Sequence, residues 1–388
     1  MKKILCTLTL MFCVFSMNAQ KKDIKLNKNS YPEFSWDTVP VGLHFSAKGG
    51  FSPEQVDFVS KFPIFCIEKH QGVSAFKDAR KGAFVATKAI KEKNPKAKLL
   101  FYWNSNIDGG KNYFGHQILA EGYHPEWKLT GSKDVLVRGY QETYDSSNAE
   151  FRKWWVSIPV EAVKEGNMDG VFIDAIPHFY RDEKQHTKIL GAEKLKKVQD
   201  GVAIMAEDLA RQLGNDKILI FNNMNEGGRA FEGDVANLAD GGMIENFCNF
   251  YLKGTTKESA LAQIEQLRLA AKNKKVMMVK GWPRYSYRRT TERENVSMET
   301  IDKHIKEDIT FPLSCFLIGA GEYAYFVYSW GYRTAHGNMV DYPEYSKPLG
   351  EPLGDYKRDG WVFTRKFKYA DVWLDLENRK AKIDWKKK

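Results

Sequence analysis

Short apolar runs recur along the chain between longer stretches of mixed polarity. They lie at 41–47 (VGLHFSA), 63–70 (PIFCIEKH), 98–106 (KLLFYWNSN), 170–177 (GVFIDAIP), 217–225 (KILIFNNMN), 241–247 (GGMIENF), 275–283 (KVMMVKGWP) and 322–330 (EYAYFVYSW). Fenced by Gly, Pro or Asn, such runs predict buried strands. The stretches 52–62, 82–93, 148–165, 192–213, 257–273 and 297–317 space their apolar residues as amphipathic helices do. Ser52 ahead of Pro53, and Ser147-Asn148 ahead of an acidic turn, supply helix starts.

About eight strands, each followed by a helix or a long loop, predict an α/β chain folded as a (β/α)8 TIM barrel. A doubly wound sheet shares the alternation, but no Gly-rich phosphate turn follows the first strand. The insert 107–144, rich in Gly, Tyr, His and Trp, is expected to lie over the barrel mouth. Short strands and turns in the tail predict a β extension over 341–388, packed on the barrel against the last strand. The barrel itself then spans 21–340.

The first twenty residues change the count. Lys2 and Lys3 precede a short apolar core from Ile4 to Phe15, and Ala19 offers a cleavage site. That core is too short to span a bilayer, so 1–20 reads as a signal peptide and the protein as secreted or periplasmic, with no membrane span. A lipoprotein start at Cys13 is disfavoured because Phe12, not a small residue, precedes it. Cleavage after Ala19 takes two lysines and no acid, lowering the net charge from +10 to +8. This basic balance suits solubility or an acidic substrate, and no aromatic-interleaved basic patch points to nucleic acid. Of the five cysteines, Cys66, Cys248 and Cys315 would remain. Their odd number and wide spacing make neither a disulfide framework nor a zinc site. Cys66 and Cys315 sit in apolar surroundings and read as packing residues.

Chemistry in barrels collects at the carboxyl ends of the strands, and here those ends are polar. Asp174 closes the fourth strand and Glu245 the sixth. Carboxylates two strands apart face each other across a barrel mouth, where one can serve as nucleophile or base and the other as general acid for a glycosidic bond. His44, Glu68 and His70 end the first two strands. Trp103, Trp282 and Trp330 could stack on sugar faces, with Tyr328 beside them. Asn104, Asn222 and Asn223 could pair with hydroxyls. Arg284 and Lys280 could meet a carboxylate, sulfate or carbonyl of the sugar, or neutralise Glu245.

GVFIDAIP, GGMIENF, KVMMVKGWP and the closing DGWVFTRKF…VWLDL together resemble secreted TIM-barrel glycoside hydrolases of Bacteroidota, catalogued as hypothetical glycosyl hydrolases. These are similar at a distance to the endo-α-1,4-polygalactosaminidase family. The resemblance spans roughly residues 35 to 380. It implies an acid at the end of the fourth strand and one near the end of the sixth, matching Asp174 and Glu245. It also implies the first as nucleophile and the second as acid/base. The expectation is a cofactor-free, metal-free hydrolase of an oligo- or polysaccharide, acidic or sulfated in one reading. Two alternatives stay open: a non-catalytic carbohydrate-binding barrel, and a metal-dependent sugar isomerase or hydrolase using Glu68, His70, Asp174 and Glu245.

Overall fold

The computed structural model describes residues 30–107, 124–131, 137–138, 141–181, 183–223, 237–287 and 296–388. Eight parallel strands follow one another around a barrel in chain order. They are β1 (Leu43–Phe45), β2 (Ile64–Ile67), β3 (Lys98–Asn104), β4 (Gly170–Asp174), β5 (Ile218–Asn222), β6 (Gly241–Ile244), β7 (Val276–Gly281) and β8 (Ala324–Tyr328). The ring closes where the Gly42 amide donates to the Phe326 carbonyl at 2.9 Å and the Phe326 amide donates to the Pro40 carbonyl at 2.8 Å. The predicted TIM barrel is therefore the observed fold. Among the described residues no helix is long and apolar enough to cross a membrane.

The strand register sorts the interior into layers, because successive side chains alternate between the barrel axis and the surrounding helices. Leu100 pairs with Gly170, Tyr102 with Phe172 and Asn104 with Asp174. Ile220 pairs with Gly241 and Asn222 with Met243, and Met243 pairs with Met278. Followed round the ring, the lower inward layers are mostly apolar. The layer at the carboxyl ends is polar on every strand: Ser46, Glu68, Asn104, Asp174, Asn222, Glu245, Lys280 and Ser329. Both carboxylate strands of interest open on glycine. A Cβ at Gly170 would lie 2.1 Å from the Ile218 carbonyl oxygen, and one at Gly241 would lie 1.8 Å from that of Val276, so only glycine permits the approach.

The helices of the outer ring are α1 (Pro53–Val59), α2 (Ala79–Lys93), α3 (Ala149–Glu165), α4 (Ala192–Leu213), α5 (Lys257–Lys272), α6 (Met298–Asp308) and α7 (Thr310–Gly319). Ser52 and Gln55 form a reciprocal capping box on α1, and Asn148 caps α3 by accepting from the Glu150 and Phe151 amides. Helix α2 starts ahead of the expected Gly82 because Asp78 accepts from the Arg80 and Lys81 amides. The single helix expected over 297–317 is two helices. Pro312 has no amide hydrogen to continue a ladder, and the chain breaks at Ile309.

Helix α7 explains the tail. All of its residues from Pro312 to Gly319 are buried, so it has no polar face to give to solvent. The four-stranded antiparallel sheet of β9 (Lys357–Asp359), β10 (Val362–Lys366), β11 (Ala370–Asp375) and β12 (Lys380–Trp385) covers it. Phe363, Phe367, Val372 and Leu374 meet Leu313, Phe316 and Leu317 in one apolar cluster. Arg365 donates to the α7 carbonyls of Leu317 and Ile318, at 2.9 and 3.2 Å, and to Ala320 at 2.6 Å. The β extension thus packs chiefly on this helix, with Ala324, Phe326 and Tyr328 of the last barrel strand in the same apolar cluster.

Parts of three expectations lie outside the described residues: the 1–20 signal segment, most of the 107–144 insert, and the end of the run at 217–225. The described ends of the insert are tied to β3, where Ile107 bridges Thr143 and the Tyr144 amide donates to the Asn106 carbonyl at 2.7 Å. Trp127 packs against Phe151 and Trp154 of α3. Cys66 and Cys315, expected as packing residues, are buried and outside any disulfide, as is Cys248.

Candidate functional site

Asp174 and Glu245 meet at the centre of the polar layer, joined by the residue from the strand between them. The Asn222 side-chain nitrogen, at the end of β5, donates to Asp174 Oδ1 at 2.9 Å and to Glu245 Oε2 at 3.1 Å. One amide nitrogen carries two hydrogens, so each carboxylate takes one. Its orientation is fixed from behind, because Asn222 Oδ1 accepts the Asn223 backbone amide at 2.8 Å. Asn223 reaches that position with a left-handed backbone, φ 63°.

The remaining oxygens are filled in the same way. Tyr102 OH donates to Asp174 Oδ2 at 2.5 Å, and the Asn104 side-chain nitrogen donates to the same oxygen at 3.3 Å. Asn104 Oδ1 accepts the Asn106 and Ile107 amides at 2.9 and 3.0 Å, which turns its donor toward Asp174. Tyr332 OH donates to Glu245 Oε1. Trp282 Nε1 holds the Glu245 backbone carbonyl at 2.7 Å. Donors thus converge on both carboxyl groups, an arrangement that holds each in a fixed orientation.

Two lysines flank the pair, Lys69 half-buried and Lys280 buried. Lys69 is bonded to Glu68 and reaches Tyr102 OH at 3.4 Å. Burial opposes the Lys69 charge, but Glu68, Asp174 and Glu245 outweigh it and raise its pKa. Burial pushes the Glu68 carboxyl up, against the pull of Lys69. Lys280 is fully buried, bonded to Ser329 Oγ, with its ammonium 4.4 Å from the Trp282 ring centroid and 4.9 Å from that of Tyr332. Burial lowers its pKa to about 7, with Glu245 pulling the other way. His44 is buried between Phe172 and Tyr332, with ring centroids 4.8 and 5.0 Å away, and burial holds it neutral.

Lys280 carries a measurable cost. From pH 10.5 down to about 7 the unfolded chain binds a proton that the folded site excludes, so stability falls as pH falls through that window. Lys280→Met, of similar length and uncharged, is therefore expected to raise stability, by about 1–4 kcal/mol below pH 7. The gain should shrink toward pH 10. Urea unfolding at pH 6 and pH 9.5 checks this, and a gain that does not shrink would contradict it.

Several expected sugar contacts lie elsewhere. Trp103 points away from the axis into the core, with Trp154 of α3 at 6.0 Å between ring centroids. Tyr328 also faces outward, donating to the Ile305 carbonyl at 2.8 Å and stacking on Phe326. Trp330 packs in a small cluster with Tyr285, Ile301 and Ile305. Arg284 is neutralised by Asp308, at 2.5 Å through Nη2 and 2.8 Å through Nε, and not by Glu245. Trp282 is present at the site, but as the anchor of the Glu245 backbone. His70 stands at the rim after β2, with burial and nearby Lys69, Lys48 and Arg333 lowering its pKa to about 4.

The sequence reading missed Tyr102, Lys69 and Tyr332. Tyr102 precedes Asn104 by two positions in one strand and so shares its face, a signal hidden in an aromatic run. Tyr332 lies beyond the end of β8 with no local pattern to mark it. Among the described residues, no group of three or more His, Cys, Asp or Glu side chains could hold a metal ion. Glu68, Asp174 and Glu245 are instead engaged by lysine, phenol and amide donors, a donor-rich environment unsuited to a cation.

The family model for "Hypothetical glycosyl hydrolase family 15" matches residues 91–371. No curated protein sequence matches. Solved structures similar to this chain include the glycoside hydrolase domain of PelA from Pseudomonas aeruginosa, 11% identical over 74% of this chain and 95% of that one, with a TM-score of 0.46. An α-amylase from Geobacillus thermoleovorans, complexed with acarbose, is 11% identical over 88% of this chain and 87% of that one, with a TM-score of 0.49. Aspergillus fumigatus Ega3, in complex with galactosamine, is 12% identical over 66% of this chain and 83% of that one, with a TM-score of 0.41.

Proposed function

We propose that this chain, which belongs to hypothetical glycosyl hydrolase family 15 and is a glycoside hydrolase, cleaves an oligo- or polysaccharide with retention of anomeric configuration. Asp174 is the nucleophile and Glu245 the acid/base. The single observation behind this reading is the shared Asn222 nitrogen. Asp174 Oδ1 lies 2.9 Å from it and Glu245 Oε2 lies 3.1 Å from it, so the two oxygens are within 6.0 Å of each other. Retaining glycosidases hold their carboxyl groups about 5–5.5 Å apart, while inverting ones need about 6.5–9.5 Å to admit a water.

Asp174 would attack the anomeric carbon as the bond to the leaving oxygen breaks, and Glu245 would give that oxygen its proton. Glu245, now a carboxylate, would take a proton from water as the water oxygen displaces the Asp174 ester. The sugar leaves with a new hydroxyl and both carboxyls return to their starting forms. Tyr102 and Asn104 hold Asp174 in line, and Tyr332 and Trp282 hold Glu245, so little reorganisation is left for the reaction itself.

Secretion is part of this reading, supported by the basic start, apolar core and Ala19 of the first twenty residues. The test is reducing-end release across neutral, uronic, sulfated and amino-sugar glycans, followed by proton NMR of the first anomer formed. A β product from a β bond, or an α product from an α bond, is expected. The opposite anomer would overturn retention.

A further inference from the structure

The mouth has a second, oppositely charged half. The ends of β8, β1 and β2 are neighbours in the closed ring, and their trailing segments are laced together. The Ser46 amide donates to the Tyr332 carbonyl at 3.1 Å, the Thr334 amide donates to Ser46 at 3.3 Å, and the Gly72 and Ser74 amides donate to Ala47 and Lys48, both at 2.8 Å. Arg333, Lys48 and His70 are therefore brought together from three different strand ends. Lys48 and Arg333 are exposed, and neither has an ion-pair partner among the described residues. Other mouth-side cations are matched, Lys69 by Glu68 and Arg284 by Asp308.

The field on this side is positive. His70 and His336 both have pKa values lowered to about 4, first by burial and then by cations: Lys69, Lys48 and Arg333 for His70, and Arg333 and Lys280 for His336. Both imidazoles are thus neutral at ordinary pH. Asp174 and Glu245 stand on the opposite half, on β4 and after β6.

We propose that Lys48 and Arg333, on either side of the neutral His70, form an anion-binding subsite that holds an acidic group of the glycan while the bond to be cleaved lies over Asp174 and Glu245. This rests on the hydrolase reading of that pair. The group is an oxyanion on the sugar, a uronate carboxylate or a sulfate half-ester. Arg333 offers a planar fork to two oxygens and Lys48 a point charge. The expected role of Arg284 and Lys280 in meeting an acidic sugar passes to these residues, because Arg284 is held by Asp308 and Lys280 is buried.

The test measures binding to the Asp174→Asn variant by calorimetry, with oligomers of equal length: a uronide, a sulfated glycan, a neutral glycan and an amino-sugar glycan. The expected result is at least about tenfold tighter binding of an anionic oligomer than of the neutral one. That preference should weaken with salt and vanish when Lys48→Ala and Arg333→Ala are added. Preference for the uronide or for the sulfated oligomer identifies which oxyanion the subsite takes. Equal affinity for neutral and anionic oligomers, tighter binding of the amino-sugar oligomer, or a preference that survives the double substitution overturns the subsite. Arg333→Lys is the check on folding, since it keeps the charge and should keep part of the preference. Hydrolysis by the unsubstituted protein is read separately. Anionic binding without any hydrolysis would sink the carboxylate pair and leave the subsite standing. Hydrolysis without anionic preference would do the reverse.

Discussion

Asp174→Asn and Glu245→Gln are each expected to lower kcat by roughly 10³-fold or more while the protein stays folded. The substitutions are nearly isosteric, but their hydrogen-bond bookkeeping differs from that of a surface site. Both oxygens of Asp174 accept bonds, one from Asn222 and the other from Tyr102 and Asn104. An amide there must turn a donor toward one of these donors. Tyr102 can rotate its hydroxyl and accept instead, so the loss of stability should stay near 1 kcal/mol, about that of one hydrogen bond. Glu245→Gln would find the same relief in Tyr332, whose hydroxyl can also turn to accept. Thermal unfolding and initial rates on the glycan found by reducing-end release separate the two effects. Azide sharpens the assignment. With Asp174→Ala it should restore bond cleavage by attacking the anomeric carbon from the vacated side, giving a glycosyl azide of inverted configuration. With Glu245→Ala it should attack the glycosyl-enzyme and give the retained one. A double-digit percentage of activity left in both amide variants would overturn the pair.

The second large effect is expected at Asn222. Asn222→Leu fills a similar volume but removes both donors from between the carboxylates. Asp174 and Glu245 then face each other with no donor between them, and each is free to swing from its productive position. Loss of a preorganised donor in an active site costs about 10²–10³-fold in rate, and kcat should fall in that range. KM should move by less than about threefold, because Asn222 orients the reacting groups and does not grip the distant sugars. Steady-state kinetics check the split. A change confined to KM would make Asn222 an ordinary sugar contact and remove the basis for the close carboxyl spacing.

The barrel was legible because each strand announced itself as an apolar run ending in polar residues. The active layer was only half legible, and the missing rule is parity. Asn104, Asp174 and Asn222 share one face across three neighbouring strands, as the register of Asn104 with Asp174 shows. Trp103 stands one position out of step and so faces the helices, as do Tyr328 and Trp330 beside the inward Ser329. Applied to the sequence, that alternation would have set these three aside and brought in Tyr102. It could not have found Tyr332, which is placed by the turn after β8, or the match of Arg284 with Asp308, which lies 24 residues further on. The break between α6 and α7 was visible in Pro312 but hidden by the continuous apolar run around it.

The apolar helix α7 also sets an order of events during synthesis. Its residues leave the ribosome well before the strands at 357–385 that cover them. Until those last strands emerge, Leu313, Phe316 and Leu317 have a barrel on one side and nothing on the other. A nascent chain stalled or truncated anywhere in that interval would present a greasy helix to its surroundings. Chaperone dependence should therefore peak late in translation, and a stop codon near residue 340 should yield an insoluble product, not a smaller enzyme.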